Sequence, residues 1–362
     1  MMVSGSFGFL RFATVRAALT PLSWVYYAGY RMKRRSVVRR PKSRLPVPVV
    51  SVGNVTVGGT GKTPTVRHLA RVLAEAGRKP GICIRGYGRT LRAPVVFTGA
   101  DAPSSWETTG DEALLYARDG VAAVGVDAVR ERVAMALIDR YGCGVILLDD
   151  GFQYRTMHRD LNVALVDVTR PFGFGRLLPA GTLREPVGVL SEADLLWVTR
   201  ADMVEAGELR SVLDRLEALF PGKPVVVSRF RPRALRRLSD GTRLPPDALG
   251  GKRAVCVSGI GNPEPFERLV ESLSGAGTRR RRFPDHHPFT LEELKRIEVG
   301  AARDGAGFVV VTEKDSVRIA SGRVPSEKWA ALEIETEILA GGDALLRKLE
   351  SLTGHAAETL CL

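Results

Sequence analysis

At 362 residues, with 44% hydrophobic and 26% charged content, the chain is long enough for two domains and its composition excludes wholesale disorder. The net charge of +13 sits at one end: residues 1–74 hold thirteen Lys and Arg and no acid, while the remainder is charge-balanced, which argues against a nucleic-acid-binding face spread over the molecule. Cys83, Cys143, Cys256 and Cys361 are scattered without C-x-x-C spacing, so they indicate neither a zinc site nor a disulfide framework and suit a reducing cytoplasm.

Residues 7–30 place Phe12, Val15, Leu19, Leu22 and Tyr26 at spacings of three and four, which predicts an amphipathic helix. Its longest uncharged run, Ala17 to Tyr30, is shorter than the roughly 20 residues a bilayer span needs. The basic stretch "RMKRRSVVRRPKSR" follows it, so residues 1–44 read as a segment lying on an anionic membrane surface. A core helix with a solvated basic tail is the competing reading. A signal peptide would carry its positive charges before the apolar part.

Short apolar runs then alternate with helical patterns. Strands are predicted at 47–53, 80–85, 144–150, 161–167, 193–199 and 224–228, with helices at 63–76, 127–141 and 206–220, the pattern of a parallel sheet covered by helices. Residues 229–252 are rich in Pro, Gly and Arg and read as a hinge or hairpin turning at Asp240-Gly241. A smaller α/β domain is predicted over 253–362, with strands at 253–260 and 307–315, a helix opened by the capping pair Thr290 and Glu293, and a C-terminal helix near 342–352.

Between the first strand and first helix of the 45–228 domain stands "TVGGTGKT", a phosphate loop with Thr56 where the usual pattern begins with Gly. Thr56, Val57, Gly58, Gly59, Thr60 and Gly61 can turn backbone N–H groups onto phosphate oxygens, Lys62 can reach the outer phosphates and Thr63 can ligate Mg2+. An ordinary glycine turn is the bland alternative. Asp149 and Asp150, ending the strand "VILLDD", suit the metal role or the capping of a following helix. Asp111 in "TTGDEALL" can be a base toward a hydroxyl acceptor or simply a helix cap. Thr199-Arg200-Ala201-Asp202 is a near miss to a guanine-reading motif, which keeps a membrane-recruited GTPase or nucleotide-dependent assembly factor as the rival reading. The loop "FPDHHPFT" carries His286 and His287, as a solvated turn or as a site.

"VGNVTVGGTGKTP", "RGYGR", "GDE", "DDGFQ", "LPAGTLREP", "DHH" and "VTEKD" occur in the order seen in the tetraacyldisaccharide 4'-kinases of lipid A biosynthesis, and the chain resembles that family from about residue 45 to 315. The resemblance implies a P-loop NTPase-like domain with a smaller α/β domain, a cleft that closes between them, and a basic N-terminal segment that contacts the membrane. It implies transfer of the γ-phosphate of ATP, with Mg2+, to the 4'-hydroxyl of a tetraacylated glucosamine disaccharide 1-phosphate, at the cytoplasmic face of the inner membrane. Asp111 looks like the family's catalytic base, His286 like its hydrogen-bonded partner, and Asp149 and Asp150 like the metal pair. Arg85, Arg89, Arg184 and Glu185 match residues of the family's cleft. Tyr154 departs from the pattern, since His usually follows "DDGFQ".

Overall fold

The structure is a computed structural model that describes residues 13–103, 105–319, 324 and 326–353. Its internal contacts define two units, the larger made of 13–230 with 336–353 and the smaller of 231–335.

The larger unit opens with helix α1 (Ala13–Val38), then β1 (Val49–Asn54), α2 (Lys62–Glu75), β2 (Pro80–Ile84), β3 (Val95–Phe97), α3 (Trp106–Thr109) and α4 (Asp111–Asp119). It continues with β4 (Ala123–Val126), α5 (Arg130–Tyr141), β5 (Val145–Asp149), β6 (Leu161–Asp167), β7 (Leu195–Thr199), α6 (Ala206–Leu219) and the start of β8 (Val225–Arg237). The strands lie in the order β8-β7-β6-β1-β5-β2-β4-β3, and only the β3–β4 pair is antiparallel. Because both faces are covered, all six residues of β1 are buried, as expected of a central parallel strand. Successive residues serve opposite faces: Val50, Val52, Leu147, Leu69 and Leu73 share one core, while Val49, Ile146, Leu148 and Leu137 share another. Register pairs Val52 with Asp149, so the phosphate loop and the aspartate pair leave the sheet side by side at the carboxyl ends of adjacent strands. Open α/β sheets bind ligands at that edge.

Helix α1 runs further than the apolar stretch suggests and carries the basic residues Arg31 to Arg35 within it. The face picked out by spacing needs correction. Val15, Leu19 and Tyr26 are half-buried toward the protein, and Leu22 is 55% exposed; Phe12 lies outside the described residues. The cause is docking by polar groups. Ser23 Oγ donates to the Leu177 carbonyl at 2.9 Å and accepts from Ala180 N at 3.1 Å, and Tyr26 Oη donates to the Arg184 carbonyl at 2.9 Å. Trp24, Val25 and Met32 of α1 also point outward, each more than 70% exposed, and Val38 is exposed as well. Among the described residues no helix is long and apolar enough to cross a membrane.

In the smaller unit the rest of β8 pairs antiparallel with β9 (Arg243–Leu244) around Asp240-Gly241, the hairpin expected there. Parallel strands β10 (Ala254–Ser258), β11 (Thr278–Arg282), β12 (Phe308–Thr312) and β13 (Trp329–Ala340) follow in the order β11-β10-β12-β13, with α7 (Glu264–Ser274), α8 (Leu291–Arg303) and α9 (Glu313–Arg318). Thr290 and Glu293 form the capping box of α8. The strand predicted through 315 stops at Thr312, whose hydroxyl accepts from Asp315 N at 3.0 Å and starts α9 instead.

The predicted boundaries shift at both ends of this unit. Residues 231–252 belong to it rather than to a separate hinge, and the last helix, α10 (Gly342–Thr353), belongs to the larger unit. Leu345 and Leu349 of α10 are fully buried in the core that holds Val50 and Leu73. Cys83, Cys143 and Cys256 are buried free thiols; Cys361 lies outside the described residues.

Candidate active site

The chain leaves β1 through Val55 and Thr56 and enters α2 at Lys62 after Gly61. Gly58 (φ 106°) and Gly61 (φ 89°) adopt conformations that side chains avoid, and a Cβ on Gly61 would stand 2.4 Å from the Phe230 ring. Neighbouring segments hold the loop. Val57 N donates to the Thr182 carbonyl at 2.7 Å, Thr199 Oγ1 donates to the Thr60 carbonyl at 2.9 Å, and Thr56 forms a bridge with Leu183. Asn54, which motif reading overlooked, ties Thr56 through its Nδ2 and accepts from Lys62 Nζ at 3.2 Å. Gln153 of "DDGFQ" donates to the Asn54 carbonyl at 2.7 Å.

The two aspartates occupy unlike environments. Asp150, at φ 51°, receives Lys62 at 3.5 Å and Arg184 at 3.0 Å. Burial opposes its ionisation, but Lys62 and Arg184 outweigh it and hold the carboxyl below its usual range. Asp149 is pushed up to about 7 by burial and then by the charge of Glu112, against the pull of Lys62. Its Oδ2 accepts from Tyr116 Oη at 2.8 Å, and its Oδ1 is buried with no hydrogen-bond partner among the described residues. Burial, then the Asp149 charge, raises the Tyr116 phenol well above its usual range, so it stays a donor; the Thr63 hydroxyl bonds to the same phenol. An unsatisfied carboxylate oxygen near the Thr63 hydroxyl fits a hard cation. Among the described residues no group of three or more His, Cys, Asp or Glu could hold a metal.

Asp111 begins α4, five residues before Tyr116, so one helix carries both the candidate base and the donor to Asp149. It is 3% exposed, and its Oδ1 accepts from Glu112 N at 2.9 Å; the cap of α4 is Gly110, so Asp111 is the first helical residue and not the cap. A Cβ at Gly86 would meet the Thr109 carbonyl at 3.1 Å, so "RGYGR" packs directly on "TTGD".

Two of the predicted substrate contacts have partners within the protein. Both Glu185 oxygens are held by Arg155, at 2.7 and 2.9 Å, in a buried pair that Glu192 extends. The pair ties residues 178–186 to the segment that follows β5. Arg89 donates to the carbonyls of Val126 at 2.8 Å and Ala93 at 3.0 Å, and its guanidinium holds the loop after β2. Arg85 is exposed, 5.8 Å from the Tyr87 ring centroid, and Arg184 points at Asp150. Tyr154 donates to Glu131 and accepts from Arg130 N at 3.0 Å, a brace at the start of α5. The near-miss guanine motif is a brace as well, with Arg200 paired to Asp167 and Thr199 holding the phosphate loop.

In the smaller unit His286 sits at φ 61°, its N–H donating to the Gly259 carbonyl at 3.1 Å. Lys314 Nζ lies 3.3 Å from His286 Nε2. The buried pair Asp315–Arg318 holds this loop: Arg318 donates to the Gly259 carbonyl at 3.1 Å and the His287 carbonyl at 3.2 Å. His287 Nε2 donates to the Glu293 carboxylate, 3.1 Å away, on the other side of the turn.

A glycine loop aimed at a helix start, a lysine, a threonine hydroxyl and an unsatisfied carboxylate define a P-loop phosphotransferase. Relatives carry the description further. The family described as Tetraacyldisaccharide-1-P 4'-kinase matches residues 15–353. A tetraacyldisaccharide 4'-kinase of Anaeromyxobacter dehalogenans (strain 2CP-C) is 39% identical over 84% of this chain and 82% of its own. One from Halorhodospira halophila is 36% identical over 93% and 95%. The crystal structure of LpxK from Aquifex aeolicus in complex with ATP superposes with a TM-score of 0.74 at 29% identity, covering 94% of this chain and 99% of that one. The chain belongs to the tetraacyldisaccharide-1-phosphate 4'-kinase family.

Proposed function

We propose that the chain transfers the γ-phosphate of ATP to the 4'-hydroxyl of a tetraacylated glucosamine disaccharide 1-phosphate, a step of lipid A biosynthesis. The observation that carries this reading is the Lys62–Asp150–Arg184 cluster beside the unsatisfied Asp149, in a chain of this family.

ATP lies with its phosphates against the N–H groups of residues 58–61 and the start of α2, where the helix dipole favours anions; the Val57 N–H is taken by the Thr182 carbonyl. Lys62 follows the outer phosphates. Mg2+, held by Thr63 and the aspartate pair, supplies charge neutralisation when bound. Asp111 accepts the proton of the sugar hydroxyl as its oxygen bonds to the γ-phosphorus and the bond to the β-phosphate oxygen breaks, leaving ADP. His286 is a second group on which this step depends. Arg184 and Arg85 hold phosphates of nucleotide or lipid. The acyl chains keep the acceptor in a bilayer, so the enzyme works as a peripheral protein on the cytoplasmic face of the inner membrane, with the outward side chains of α1 against the lipid.

The test is transfer of label from γ-labelled ATP to the detergent-dispersed lipid. Wild type labels it; Asp111→Ala and His286→Ala lose at least about a hundredfold in kcat, the scale of general-base loss, while still binding ATP. A folded, ATP-binding wild type that labels no lipid refutes the function. Full activity in Asp111→Ala refutes the base.

A further inference from the structure

The second half of α1 and the short turn Val187–Glu192 enclose a groove of about 620 Å³. Arg31, Arg34, Arg35 and Arg39 line it over an apolar floor that includes Tyr30 and Val189. Only Arg34 has an acidic partner, Glu192; among the described residues Arg31, Arg35 and Arg39 make no ion pair. Arg31 instead lies 5.8 Å from the Tyr27 ring centroid, and the Tyr30 hydroxyl is buried with no hydrogen-bond partner among the described residues. No residue of the phosphate loop or aspartate pair lines the groove.

Cations around an apolar floor match a phosphodiester joined to acyl chains. The groove's position supports the same ligand. Trp24, Tyr27, Arg31, Arg35 and Val38 succeed one another at helical spacing along one flank of α1, and Trp24 and Val38 are exposed. An aromatic residue leading into arginines is how helices lie at a headgroup layer.

We propose that this groove seats the headgroup phosphate of one anionic bilayer phospholipid, so that attachment is stoichiometric and selective for lipid class rather than a diffuse attraction of the basic N-terminus. The proposal rests on the reading that α1 docks on a membrane. Its test is co-sedimentation of the full chain with vesicles of phosphatidylcholine alone or with added phosphatidylglycerol. Arg31→Gln/Arg35→Gln/Arg39→Gln removes charge inside the groove; Lys33→Gln/Arg40→Gln/Lys42→Gln removes the same charge outside it. Gly188→Phe fills the groove with every charge in place, since nothing lies within 4 Å of a Cβ there.

The groove variant loses at least about tenfold more affinity for phosphatidylglycerol vesicles than the charge-matched control, because both share the same diffuse term. Gly188→Phe falls with the groove variant, and native mass spectrometry retains one phosphatidylglycerol on wild type but none on either. Equal losses in the two triple variants, with Gly188→Phe unchanged, overturn the groove. Wild type that ignores both vesicle types refutes membrane docking itself. A raised KM for the lipid substrate in pure detergent makes the substrate the occupant and also overturns the proposal.

Discussion

Burial makes Asp149 hold its proton to higher pH than its ordinary acidity would allow. A carboxyl whose value rises from 3.8 to about 7 on folding binds an extra proton in the folded state between those limits. The folded protein without metal therefore loses stability as pH rises through that window, and the loss is complete above it. Asp149→Asn keeps an oxygen for Tyr116 and never ionises. Its melting temperature without Mg2+ matches wild type near pH 4 and exceeds it at pH 8, whereas Mg2+ with nucleotide raises wild type more than the variant; thermal scans across pH check both. Lys314 gives a second prediction. An ammonium only donates, so at 3.3 Å it requires His286 Nε2 to accept, and the neutral ring carries its proton on Nδ1. Nitrogen chemical shifts of labelled histidine report that tautomer, and Lys314→Met shifts it toward Nε2–H. Lys62 and the aspartate pair were legible in sequence because their chemistry depends on spacing along a strand–loop–helix. Asn54 and Tyr116 were not, since each acts through a fold contact: Asn54 with a lysine eight residues on, Tyr116 with an aspartate on another strand. Glu185 and Arg89 show the converse, motif residues whose side chains are already held by other segments of the fold, the one by Arg155 and the other by the Val126 carbonyl.

Elements were legible where periodicity was strong. Parallel strands buried on both faces read as apolar runs, and each predicted run overlaps an observed strand. The face of α1 was misread because spacing identifies a stripe but not what covers it; here Ser23 and Tyr26 turn the stripe toward the protein. Helix α10 was placed in the wrong unit for a related reason: amphipathicity says that Leu345 and Leu349 are buried, not against which core. Leu349→Ala is expected to destabilise the unit that binds nucleotide by about 2–5 kcal/mol, as for other fully buried leucines. The measurement is denaturant unfolding monitored with and without a nucleotide analogue, and a loss confined to the smaller unit contradicts the packing described.

The larger unit is interrupted by the smaller one: the chain leaves along β8 and returns along β13. Arg229 and Glu337, on either side of the excursion, are hydrogen-bonded at 2.9 and 3.1 Å, so the exit and re-entry points are neighbours. Replacing 231–335 with a short Gly/Asn turn is expected to leave a chain that melts cooperatively and binds ATP but transfers no phosphate. Calorimetry and nucleotide titration check it; a shortened chain that does not fold makes the excursion part of the larger unit's stability. The arrangement also sets an order of events during synthesis. Residues 231–335 are contiguous, so they can condense as soon as they clear the ribosome, whereas the nucleotide-binding core stays open until Leu345 and Leu349 arrive behind them. A nascent chain thus completes its inserted unit first, and ATP has no finished pocket until translation has passed beyond the whole of it.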